Sequence, residues 1–424
     1  MTGSFATSIT CSLVSLGVSW ALAFPCIAHS ELEVRTDFEG GSAQVLEVDS
    51  ANAIIRFAPG GDAERGWVCW WSLKVHHLQP GQKLTLILSP SQQRTRNNGR
   101  ISDKALDANW CMPAQASVST DGRTWAHTSP GQRADGRIQY ELVASAPILW
   151  IAWGPMFTTQ TTAELIEFAG RTIPSAEAFE LTRTRDNRPV MGLRIRPPRT
   201  SHRSPAIWIQ ARQHAWECGS SWVAQGIVEW LAGNSESAKR LMENAELVIV
   251  PIMDVDNVST GNGGKEASPR DHNRDWDATP VYPEVQAAQK QLLQWAQESR
   301  LDLFIDLHNP APSDTKPFFF CGPPELLSDI GRDNRAIFLG IAHRYISGPL
   351  PVESAARLTG PSYHPLWRQI SGQWVNHHGN PHTNAICLET SWNTPDSTTE
   401  GYRQVGKQLG ETIAEYIQRR QRSN

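Results

Sequence analysis

Apolar positions change their rhythm once along the chain. From Glu31 to about Thr158 they come in short runs separated by turn residues. Ala53-Ile-Ile-Arg-Phe, Trp67 to Val75 and Lys83 to Leu88 read as strands, and Pro80-Gly81 breaks the chain between the last two. Ser117 to Trp125 reads as a hairpin turning at Asp121-Gly122, and Pro147 to Trp153 closes the series. No helical period survives, so the stretch predicts an all-β sandwich. It holds no cluster of His, Asp or Glu, and no chemistry is expected of it.

After residue 160 the runs lengthen. Met191–Ile195, Ala206–Ala211, Leu247–Ile252, Leu303–Leu307, Pro317–Phe320 and Ala385–Leu388 are near-continuously apolar. Helical patterns separate several of them. One runs from Gly219 to Leu231, one sets Ala288, Leu292 and Trp295 on a single face, and one spaces Tyr402, Val405, Leu409, Ile413 and Tyr416. Apolar strands alternating with helices predict an α/β sheet covered on both faces. The expected partition is residues 1–30, 31–160 and 161–424. Ligands of such sheets sit at strand ends, so residues just after strands matter most.

The first segment reads as a secretory signal. Ile9 to Ile27 is apolar, no charged residue precedes Glu31, and Ala21-Leu22-Ala23 or Ala28-His29-Ser30 offers a small-residue exit. A periplasmic or secreted protein follows, or a membrane-anchored one if the segment is not cleaved. Cys11 and Cys26 lie in or beside it. Of the remaining thiols, Cys69 and Cys111 suit either a bridge in an oxidising compartment or burial as free thiols. Lys and Arg total 39 against 43 Asp and Glu, so no basic field exists to hold nucleic acid. No stable membrane partner is expected once the signal is removed. Trp is abundant at 17, enough to line a core, a domain interface or a groove.

Directly after Ala206–Ala211 comes Arg212-Gln-His214-Ala-Trp-Glu217, with a nitrogen and a carboxylate ligand three residues apart where strand becomes helix. Leu303-Phe-Ile-Asp306-Leu-His308-Asn-Pro ends a buried strand on a second histidine. Two His and one Glu at strand ends leave a coordination position open for water, as a hydrolytic zinc site requires. Between them lies Pro269-Arg270-Asp271-His272-Asn273-Arg274-Asp275-Trp276. Taken alone, Arg274 better suits a surface ion pair with Asp275 or Asp277. Leu388-Glu389-Thr390-Ser391 follows the last strand, with Glu353 and Glu400 as rival acids.

This ordered set resembles the zinc carboxypeptidases of the funnelin type. The strand-rich segment running straight into the second half, with Trp67–Val75 and the Asp121-Gly122 turn, resembles their cytosolic-carboxypeptidase branch. The resemblance implies one Zn²⁺ per chain, held by His214, Glu217 and His308, and Asp271 orienting the first histidine. It implies Asn273 and Arg274 gripping a terminal carboxylate, and Glu389 as general base. The family's carbonyl-polarising Arg falls on Gly264 here, which leaves Lys265 or Arg270 as substitutes. Tyr363 is the counterpart of the family's mobile tyrosine. Arg368 would suit an acidic terminal residue, and His364, His377, His378 and His382 lie in the same loop-rich stretch. The implied activity is hydrolysis of C-terminal residues from peptides or proteins. Two alternatives stay open: a zinc acylase of the aspartoacylase/desuccinylase type, and an inactive zinc-containing peptide-binding protein.

Overall fold

The computed structural model describes residues 1–3, 31–97, 99–198 and 204–423. The expected signal, Ile9–Ile27 with its two exits and both cysteines, lies outside the described residues. Between Glu33 and Ala152 the chain builds two five-stranded sheets. One joins Glu33–Arg35, Ser72–His76, Leu149–Ala152, Ser117–Ser119 and Ala126–His127. The other joins Gln132–Ala134, Arg137–Val143, Lys83–Leu88, Ile54–Ala58 and Gln44–Asp49. Period-two patterning decides which side faces inward. Lys83–Leu88 buries Leu84, Leu86 and Leu88 and turns Lys83, Thr85 and Ile87 outward. The sheets meet through Phe57, Trp71 and Tyr140, with centroids 5.0 Å apart for the first pair and 6.3 Å for the second.

The expected strand Trp67–Val75 is only half present, since regular pairing begins at Ser72. Adjacent Trp70 and Trp71 are both buried, each satisfying its indole N–H elsewhere, on the carbonyls of Gly40 and Cys111. A pleated strand would send one of the two to the opposite face, so these residues turn instead. Cys69 and Cys111 are buried free thiols.

The second half carries an eight-stranded mixed sheet. Its strands are β1 (Ala176–Arg183), β2 (Pro189–Ile195), β3 (Ala206–Ala211), β4 (Glu246–Val250), β5 (Leu301–His308), β6 (Phe318–Cys321), β7 (Arg357–Leu358) and β8 (Asn384–Glu389), in the order β1-β2-β4-β3-β5-β8-β6-β7. The central β4-β3-β5-β8 set is parallel. Every residue of β3 and β4 is buried, so both faces of the sheet are covered, as the apolar runs predict. Helices α1 (Cys218–Ala232), α2 (Pro283–Gln297), α3 (Ser371–His378) and α4 (Thr399–Ser423) supply cover. α1 and α4 touch at backbone distance. A Cβ on Gly226 would stand 2.1 Å from the Arg403 carbonyl oxygen, and one on Gly406 would stand 2.1 Å from that of Val223.

Leu32–Asn424 form one compact unit. Trp153, at the end of the last sandwich strand, packs against Trp216 and Trp392 from loops of the large sheet, with centroids 5.2 and 4.2 Å away. Among the described residues, no helix is long and apolar enough to cross a membrane.

Candidate metal centre and substrate cavity

Where β3 ends, Arg212 takes a left-handed backbone conformation at φ +61° although it is 2% exposed. Its guanidinium donates to the carbonyls of Ala215 and Phe157, which folds the following loop back on itself. That loop brings His214 and Glu217 together, with Nδ1 of His214 2.7 Å from Glu217 Oε1. His308 is the last residue of β5, and its Nδ1 lies 2.6 Å from the other oxygen, Oε2. The three buried residues offer ligand atoms within 4.8 Å of one another. The opposite nitrogens are tied back, His214 Nε2 to Asp271 Oδ1 at 3.2 Å and His308 Nε2 to Asp306 Oδ2 at 3.0 Å. Carboxylates behind both rings aim the Nδ1 lone pairs at Glu217, the arrangement metal-ligating imidazoles adopt. Burial pushes Glu217 up, yet the two imidazoles outweigh it and hold the carboxyl at about 2. Two imidazoles and a carboxylate of this kind fit zinc.

Asp306 is the residue the sequence reading passed over. Its position two before His308 on one strand was the available signal, since period two puts both side chains on one face. Besides His308 it accepts from the Gln213 amide and the Ser371 hydroxyl, and is fully buried.

β8 runs parallel to β5 with Glu389 opposite His308. Glu389 is 9% exposed, its Oε2 has no partner, and burial pushes its carboxyl up to about 7. The rival acids are engaged elsewhere: Glu353 pairs with Arg357, and Glu400 with Arg403 and Lys407.

A short 3₁₀ turn, His272–Arg274, is capped by Asp271, which accepts from the Asn273 N–H. Asn273 Nδ2 lies 3.2 Å from His308 Nε2. Arg274 is 6% exposed and donates to the Asn273 carbonyl, while its buried Nε has no partner. Among the described residues no carboxylate pairs with Arg274. The acids that suited it in sequence, Asp275 and Asp277, pair with Arg270.

These groups share one cavity of about 360 Å³, which His214, Glu217, His308, Asn273, Arg274 and Glu389 all line. Lys265 and Tyr363 line it too. Gly264 has φ +78°, and a Cβ there would stand 2.7 Å from the Ala215 N, so no arginine fits that position. Lys265 is the next residue. Burial opposes its charge, but the field of Asp271 holds the ammonium above the ordinary lysine value. Arg270, engaged with its two acids, does not line the cavity. Arg368 lies over the Trp367 ring and borders a separate cavity with His377 and His378, so it is not poised for a terminal side chain. His364 and His382 do not line the substrate cavity either.

The sandwich, of which no chemistry is expected, nevertheless reaches the cavity. Its Trp67 and Trp110 form part of the cavity wall. Two backbone bonds fasten it there, from the Trp67 N–H to the Lys265 carbonyl and from the Gly264 N–H to the Arg65 carbonyl.

Residues 163–318 match the zinc carboxypeptidase family model. Over that stretch the chain is similar to the zinc carboxypeptidases. A protein of Zymomonas mobilis is 25% identical over 72% of this chain and 74% of its own length. Mouse cytosolic carboxypeptidase 1 is 36% identical over 107 residues, which cover 24% of this chain and 9% of that protein. The chain thus spans a small fraction of that relative. The structure of a metallo-carboxypeptidase from Burkholderia cenocepacia superposes with a TM-score of 0.74 at 21% identity, covering 92% of this chain and 100% of that one. One from Pseudomonas aeruginosa, in complex with (2-guanidinoethylmercapto)succinic acid, gives 0.73 at 22%, covering 91% and 99%. These likenesses include the strand-rich first part, and they show the fold. The match to the family model ends at Phe318. Beyond it, the pairing of β8 with β5 sets Glu389 beside His308.

Proposed function

We propose that the protein is an exopeptidase that removes residues one at a time from free C-termini of peptides or proteins, with one zinc ion held by His214, Glu217 and His308. Zinc in that position supplies an acidified water and polarises the scissile carbonyl. Glu389 takes the proton of the attacking water and passes it to the leaving amine nitrogen as the C–N bond breaks. Its free, buried Oε2 supports that role. Lys265 answers the negative charge that develops on the carbonyl oxygen, and Arg274 and Asn273 hold the terminal carboxylate. Tyr363, 44% exposed at the cavity and tilted against the Phe320 ring, covers the terminal residue. Export through the apolar Ile9–Ile27 segment belongs to the same reading, and N-terminal sequencing of the mature protein tests it.

The observation that carries the reading is Arg274, a buried guanidinium with a free N–H and no acidic partner, sharing a cavity with the metal triad. Such a group wants a carboxylate, and its planar fork suits one bidentately. Withdrawing that carboxylate leaves the cation unpaired, at a cost of about 2–5 kcal/mol. A peptide with a free C-terminus should be trimmed stepwise and its C-terminal amide should be nearly inert. Mass spectrometry of the products decides. Equal cleavage of acid and amide, or cuts inside the peptide, would remove the exopeptidase reading. Faster turnover of N-acyl amino acids than of peptides would favour an acylase.

A further inference from the structure

Three tryptophans form a row that starts between two metal ligands and ends on the sandwich. Trp216, between His214 and Glu217, meets Trp110 edge to face at 5.6 Å, and Trp110 meets Trp67 at 4.8 Å. All three line the cavity. Trp216 is 1% exposed, and its indole N–H is buried without a partner. Trp67 and Trp110 are only half-buried, unlike Trp153 and Trp392 behind them, so the row opens toward solvent. Trp67 is fixed by its N–H to the Arg96 carbonyl and by the Lys265 ammonium 5.3 Å from its ring.

A peptide whose terminal carboxylate lies on Arg274, with its scissile carbonyl at Glu389, must lead its upstream residues out of the cavity. Aromatic wall and unpartnered N–H together make a peptide subsite, a surface for a side chain and a donor for a carbonyl. Lys265 lies over the Trp67 ring and, in the proposed function, serves the scissile carbonyl oxygen rather than an upstream side chain. We propose that Trp67 and Trp110 bind the side chain just upstream of the scissile bond, and that this side chain is aromatic or large and apolar. The inference rests on the exopeptidase reading and adds to it a selectivity supplied by the sandwich. Edge-to-face and stacked contacts, with the apolar area they cover, give about a tenfold or larger preference over glycine.

The test uses the full-length zinc-loaded protein and tetrapeptides Ala-Ala-X-Z with free C-termini. X is Trp, Leu, Gly or Glu, and Z is Ala, Leu, Phe, Glu or Lys in turn. The kcat/KM ratio of X = Trp to X = Gly is measured for the parent, Trp110→Ala and Trp67→Leu. Because the ratio is internal to each preparation, it does not depend on how much of a variant has folded. The expected result is a ratio of about ten or more in the parent, falling to within about threefold of unity in Trp110→Ala. A parent ratio near one, a preference for X = Glu, or a ratio unchanged in both variants would overturn the inference. Binding of the same peptides to Glu389→Gln separates the two readings. Peptides bound equally whatever X is would sink the subsite alone. No peptide bound at all would sink the exopeptidase reading and this inference with it.

Discussion

At Glu389 two influences oppose each other: burial drives the carboxyl up to about 7, while the His308 imidazole pulls it down. Only the ionised form accepts a proton, so kcat/KM should fall as pH drops through this value. A bound zinc adds positive charge and places the midpoint at or below about 7. An acid limb that persists at the same midpoint in Glu389→Gln would take the base role from Glu389. Glu389→Gln keeps shape but not basicity, so zinc content should persist while turnover falls by about two orders of magnitude or more. His308→Ala removes a ligand, and metal analysis should find most of the zinc gone. Asp306→Asn should weaken zinc binding by about ten- to a hundredfold through the lost support of His308. His214, Glu217 and His308 were legible in the sequence because a His-x-x-Glu and a second histidine, each after an apolar run, stand in the order of the family they resemble, and the structure brings them together. Apart from the family resemblance, Arg274 was not separable from an ordinary surface cation. What distinguishes it is that Arg270 claims the nearby acids, and spacing along the chain does not reveal such a choice.

Close contacts between backbones leave no room for a side chain at several glycines. α1 and α4 cross at Gly226 and Gly406, where backbone meets backbone. Gly226→Val must part the helices and should cost about 1–3 kcal/mol, read as an earlier thermal or urea transition. α1 begins one residue after Glu217, so zinc affinity should fall along with stability. Gly264 is another such place. The strands and helices of the second half were readable because their apolar periods are long. Trp67–Trp71 was misread because its aromatic pattern suits a strand while the indole N–H groups of Trp70 and Trp71 seek carbonyls in different places.

The two halves differ in composition and rhythm yet share one buried core, with Trp153, Trp216 and Trp392 at the seam. Residues 161–424 expressed alone would expose Trp216 and Trp392 and lose the backbone bonds that set Lys265. Such a fragment should be insoluble or inactive, and an active soluble fragment would show the sandwich to be dispensable. The sequence announces the seam only through its tryptophan count, because contacts between distant segments leave no local period. The crowding of indoles there also gives the molecule an optical signature. Rings 4.2–6.1 Å apart at fixed tilts hold the indoles in one asymmetric arrangement, so near-ultraviolet circular dichroism should carry a tryptophan band from the seam. Mild denaturant that parts the halves should erase that band while the far-ultraviolet signal of the sheets persists. The protein thus carries its own spectroscopic gauge of whether the aromatic wall and the metal triad still stand together.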